Sequence, residues 1–167
     1  MSHFAFVLAG KGIGRWSASE VDLGLCESID EVVDLLRDFD EPIRVLMLEQ
    51  DDEYAVLVRL DASAEAADEP MRVFLSNGHA ADDYRLAGLF AEDLSEIGGD
   101  PLDGDEDAPA GVHDAAPFGD AELLKDLGMD PGELIELAVH EGTLPIDLID
   151  TVCERLGGSG EFEAIRG

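Results

Sequence analysis

Apolar residues recur at every second position near the start of the chain, where Phe4, Phe6 and Leu8 share one face of an extended segment. GKGIG at 10–14 interrupts the alternation before RWSASEVDL from Arg15 resumes it, which predicts a β-hairpin. The period then changes. Ser28 followed by Glu31 has the spacing of a capping box, and Ile29, Val32, Val33, Leu36 and Phe39 repeat at helical intervals. A helix over 29–39 is expected, closed off by Pro42.

Three further strands are predicted: IRVLMLE from Ile43, YAVLVRL from Tyr54 and RVFLS from Arg72, with EQDDE as the first turn. Ile43, Val45 and Met47 alternate with Leu46 and Leu48, so this strand is apolar on both sides and its sheet must be covered on both. In the next strand Tyr54, Val56, Val58 and Leu60 face one way, and Ala55, Leu57 and Arg59 the other. After SNG, the stretch His79–Leu94 places Leu86, Leu89, Phe90 and Leu94 at helical spacing. The order is ββαβββα, an α+β class similar to the longin and profilin-like group. Such a fold has a five-stranded antiparallel sheet with helices on both faces.

Composition shifts at residues 95–117, which are rich in Gly and Pro and carry seven acids with no Lys or Arg. This reads as a flexible acidic linker between a sheet domain at 1–94 and a helical segment at 118–167. Three short helices are expected there, from GDAELLKDLGM, DPGELIELAVHEG and TLPIDLIDTVCERLGG. Asp130, Pro131 and Glu133 mark a start, Gly142 a stop, and Thr143 with Pro145 another start. Leu134, Leu137 and Ala138 form one apolar stripe, and Leu148, Ile149, Val152 and Leu156 another. These stripes pack within the chain or against a partner.

Forty acidic residues against ten basic ones give a net charge of −30. The charge is spread along the chain, with 21 acids to 7 bases in 1–94 and 12 to 3 in 118–167. Nucleic-acid binding depends on Lys and Arg displacing counterions from phosphates, so direct binding to bare nucleic acid or to an anionic membrane is disfavoured. The suitable partners are basic protein surfaces, apolar grooves and cations. The N-terminal stretch is apolar for only seven residues and lacks a basic leader, which predicts neither a signal peptide nor a membrane span. A cytoplasmic protein follows, with Cys26 and Cys153 as small buried thiols.

Motifs that would carry chemistry are incomplete. GKGIG precedes a strand and completes neither GK[ST] nor GxGxxG, so a hairpin turn is its expected use; Lys11 and Arg15 beside it form a small basic spot. Asp103, Asp105, Asp107 and Asp114 share the spacing of calcium-loop ligands, but Ala108 stands where the sharp turn needs Gly and Pro109 follows it. His3, His79, His113 and His140 are dispersed, and HEGTL lacks the second His of HExxH. No metal, cofactor or catalytic residue is therefore assigned. The residues chosen as candidate binding positions are Asp51, Asp52 and Glu53 in a hairpin turn, and Trp16 on a strand that could lie at a sheet edge.

RWSASEVDL, DEVVDLLRDF, VLMLEQDDEYAVLVRL, RVFLSNGHAADDYRLAGLFAED and the tail ELLKDLGM…LPIDLIDTVCERLG together resemble the actinobacterial tRNA adenosine deaminase-associated protein family. That resemblance implies an accessory role and no catalytic residues to carry over. The H-x-E and P-C-x-x-C elements of the deaminase itself are absent from the chain. The expected partner is a protein with a basic surface, the deaminase first, since an enzyme acting on tRNA needs such a surface. Two other readings stand beside this one: a homodimer or assembly protein built on the sheet edge or the C-terminal helices, and an enzyme whose site is dispersed in sequence.

Overall fold

The computed structural model describes residues 3–24, 26–61, 72–77, 84–96, 117–140 and 143–166. Five strands form the body of one antiparallel sheet: β1 (His3–Gly12), β2 (Arg15–Val21), β3 (Ile43–Gln50), β4 (Tyr54–Asp61) and β5 (Arg72–Leu75). A two-residue sixth strand, β6 (Phe118–Gly119), pairs with β5, and the spatial order is β2-β1-β3-β4-β5-β6. The α+β architecture expected from ββαβββα is present, with helices on both faces.

Alternation along the central strands divides the core in two. Ala5, Val7, Ala9, Leu46, Leu48, Tyr54, Val56, Val58, Val73 and Leu75 point to one side, where α1 (Ile29–Arg37) supplies Val32 and Leu36 and α2 (Arg85–Glu96) supplies Leu86, Ala87 and Phe90. Phe6, Leu8, Val45, Met47, Ala55, Leu57 and Phe74 point to the other. Among the described residues, the helices and turn that cover that second face come from the C-terminal segment. It consists of a turn through Leu123, Leu124 and Leu127, then α3 (Pro131–Val139), α4 (Pro145–Leu156) and α5 (Ser159–Arg166). The stripe of Leu148, Ile149, Val152 and Leu156 thus packs within the chain, against the sheet.

Local signals set several boundaries. Ser28 Oγ accepts the Glu31 N–H at 3.4 Å and Asp130 Oδ2 accepts the Glu133 N–H at 3.1 Å, so both expected N-caps form. The first helix ends at Arg37 rather than Phe39. Its last turn tightens, with Phe39 N–H bonded to Leu36 O, and the Arg44 guanidinium takes the Phe39 carbonyl at 2.6 and 2.9 Å. Residues 78–83, where the second helix was expected to begin, lie outside the described residues, as do 97–116 with the acidic calcium-like run.

One expectation is corrected. GDAELLKDLGM does not make an α-helix: it gives β6, a turn in which Asp120 Oδ1 accepts the Glu122 N–H, and a single 3₁₀ turn at Lys125–Leu127 stopped by left-handed Gly128. Asp120 competes for nearby backbone donors and Gly128 arrives too soon for a second α-turn. A helix not anticipated from the sequence, α5, follows Gly157–Gly158 and buries Phe162 against Phe6, with ring centroids 5.0 Å apart.

Arg59 fastens the C-terminal cover to the sheet. It stands on β4 in line with Ala55 and Leu57 and is 5% exposed. Its guanidinium donates to Asp61, to Asp126 at 2.5 and 3.0 Å, and to the Leu123 carbonyl at 2.8 Å. Hydrogen bonding from Arg59 holds the Asp126 carboxyl below its ordinary pKa.

Candidate interaction surface

The β3–β4 turn projects three consecutive acids. Asp51 and Asp52 both adopt left-handed backbone, with φ of 53° and 58°, and the Glu53 N–H closes the turn onto the Gln50 carbonyl at 3.0 Å. Asp is among the few non-glycine residues that tolerate this conformation, which accounts for acids at these two positions. All three residues are exposed.

Sheet register brings more groups to the same place. His3 pairs with Gln50 and Phe4 with Glu49, so the start of β1 lies beside the turn. His3, Phe4, Glu49, Asp51 and Asp52 line a solvent-open cleft of about 470 Å³. Glu49 Oε1 accepts the Asp52 N–H at 2.8 Å. Partial burial, reinforced by the charges of Asp52 and Asp51, pushes the Glu49 carboxyl above its ordinary pKa. His3 Nε2 accepts the Leu23 N–H at 3.2 Å and lies 3.4 Å from Asp22 Oδ1. Carboxylates dominate the lining, so the cleft suits an ammonium or guanidinium group. His3, Phe4 and Glu49 were not singled out from sequence. Glu49 belongs to EQDDE and adjoins the turn in sequence, whereas only the antiparallel pairing of β1 with β3 brings His3 and Phe4 there, and no local motif signals it.

Trp16 sits elsewhere. Its strand does lie at the sheet edge, yet the side chain turns inward beneath α4 and is 7% exposed. The indole N–H donates to the Leu156 carbonyl at 2.7 Å, and the Gly14 N–H donates to the same oxygen at 3.0 Å. GKGIG is therefore a hairpin turn clamped onto the C-terminal end of α4. A Cβ on Gly157, itself at φ 77°, would lie 2.8 Å from Gly14 N, so the close approach requires glycine at 157, while Gly14 serves the turn through its own φ of 75°.

Among the described cations Arg44 and Arg59 are buried, and most of the others lie at the surface. Arg44 and Arg85 donate to backbone carbonyls, while Arg59, Arg72 and Arg155 are tied to carboxylates. Lys11, Arg15 and Arg37 are exposed and hold no ion pair among the described residues. Among the described residues no three His, Cys, Asp or Glu side chains are grouped to hold a metal ion, and no helix is long and apolar enough to cross a membrane. Cys26 and Cys153 are unpaired and buried, and burial pushes the Cys153 thiol up to about 12.

An antiparallel sheet covered by helices on both faces, in a chain of net charge −30, defines an acidic α+β protein. Residues 4–159 match the model of the Rv3753c-like tRNA adenosine deaminase-associated protein family, and the chain belongs to that family. No curated protein and no solved structure matches it.

Proposed function

We propose that this chain is a non-catalytic, cytoplasmic accessory protein that binds a protein partner through its acidic surface, with tRNA adenosine deaminase as that partner. The description of the family to which the chain belongs supports the association. The observation that carries the physical reading is the β3–β4 turn and its cleft, where Glu49, Asp51 and Asp52 converge. An enzyme that acts on tRNA presents Lys and Arg to phosphates. Docking of an acidic protein on that surface is steered by opposite charge, weakens with salt, and competes with RNA for access.

The variant Asp51→Asn/Asp52→Asn tests this. Asn also tolerates left-handed backbone, so the turn persists while two charges are lost. Affinity for purified deaminase at low salt is expected to fall about tenfold, as loss of 1.4 kcal/mol of charge pairing requires. The matched variant Asp34→Asn/Asp38→Asn, which removes two exposed acids from α1 and its C-cap, is expected to change it little. Equal effects from the two pairs would remove the turn from the interface.

A further inference from the structure

The hydrogen-bond phase of the sheet can be followed from one strand to the next until it reaches the edge. Ser76 N–H donates to the Ala55 carbonyl at 2.9 Å, so the odd-numbered residues of β4 turn their backbone groups toward β5. In an antiparallel ladder, alternate residues bond to opposite neighbours. The registers then direct even residues of β3 to β4, odd residues of β3 to β1, and Ala5, Val7 and Ala9 of β1 to β2. On β2 their partners are Val21, Ser19 and Ser17. Ala18 and Glu20 are left with N–H and C=O directed out of the sheet, and no turn or loop backbone group bonds to them among the described residues.

We propose that two copies of this chain join along β2, as antiparallel strands related by a two-fold axis at Ala18. Ala18 is the midpoint of Arg15–Val21 and is itself an outward-bonding residue, so the pairing uses the whole strand. Ala18 then meets its own copy, and Trp16 meets Glu20 of the second copy. The strand carries no Pro or Lys, which edge strands commonly use to block such pairing, whereas the opposite edge is the two-residue β6.

Charge favours the antiparallel arrangement. Lys11 and Arg15, exposed and without an ion pair among the described residues, mark one end of the β2 edge, while Glu20 and the 74%-exposed Asp22 mark the other. The two-fold axis sets each basic end against the acidic end of the second copy. The repulsion between two chains of charge −30 acts at long range and is screened at about 0.15 M ionic strength, where the Debye length is about 8 Å. Across the seam Arg15 of one copy falls opposite Val21 of the other, one residue along the strand from Glu20 and Asp22. This surface differs from the acidic turn, and its test needs no deaminase.

The experiment is light scattering on the full chain at that ionic strength over a concentration series. The expected mass tends to twice 17.9 kDa, and the monomer mass at every concentration overturns the proposal. Ala18→Pro removes an outward N–H without touching the β1 ladder, and is expected to give a monomer with unchanged circular dichroism. A folded Ala18→Pro dimer overturns the edge geometry. Should that variant fail to fold, Lys11→Glu/Arg15→Glu decides the matter. It is expected to raise the dimer dissociation constant by about tenfold or more, and adding Glu20→Arg is expected to restore it; an unchanged constant overturns the proposal.

Discussion

Replacing Arg59 by Met should loosen the C-terminal cover from the sheet at a cost that the geometry allows to be bounded. The guanidinium is buried, but the carboxylates of Asp61 and Asp126 are 39% and 62% exposed. Removing one partner of a fully buried ion pair costs about 3–5 kcal/mol, whereas exposed pairs contribute about 0–1 kcal/mol. With the carboxylates wet, the electrostatic loss lies near the lower figure. The Leu123 carbonyl adds to it, because it loses its guanidinium donor within the interface, a change that costs roughly 1–3 kcal/mol. Met retains the apolar stem. A net destabilisation of about 2 kcal/mol is expected, read in urea as a lower midpoint with an unchanged slope. Arg72→Met, whose pair with Asp120 is more exposed, is the control and should stay within about 0.5 kcal/mol. Equal effects from the two substitutions would refute the claim that Arg59 fastens the cover.

Further outcomes follow from single contacts. Trp16→Phe keeps most of the buried ring but removes the donor to Leu156, and should cost about 1 kcal/mol in chemical denaturation. Phe162→Ala empties a fully buried site against Phe6, and a loss of about 3–5 kcal/mol is expected, in place of the near-zero effect of a helix outside the core. Glu49 has a raised pKa in the folded state, so its contribution to stability is fullest below its unfolded value and is lost as pH rises through the folded one. Glu49→Gln retains an acceptor for the Asp52 N–H. Its melting temperature should exceed that of the wild type at pH 7, with the gap closing toward about pH 4. A gap that widens on acidification would contradict the sign.

The sheet was legible where the side-chain pattern was strict. Ile43, Val45 and Met47 against Leu46 and Leu48 announced a strand covered on both faces, and Ser28 with Glu31 announced a helix start, because both signals are contained within a few residues. What lay outside local pattern was partnership. Nothing in DPGELIELAVHEG or TLPIDLIDTVCERLGG states that Cys153 meets Met47, a contact made by residues more than a hundred positions apart. The same limit hid the acidic cleft, since Glu49 and Phe4 are joined only by register. Phe162 and Ile165 give two apolar points, too few to mark a helix after a double glycine that normally ends one. Trp16 shows the reverse case: an edge strand was anticipated, but the direction of its side chain depended on a helix 140 residues later.

The central claim is an electrostatic association between this acidic surface and tRNA adenosine deaminase. Its most direct test is titration of purified deaminase with the full chain at ionic strengths from about 0.01 to 1 M, a range over which the Debye length falls from about 30 to 3 Å. The account predicts saturable binding at low salt, progressive weakening as salt rises, and competition by tRNA. Absence of binding at the lowest salt, or an affinity indifferent to salt, would contradict it.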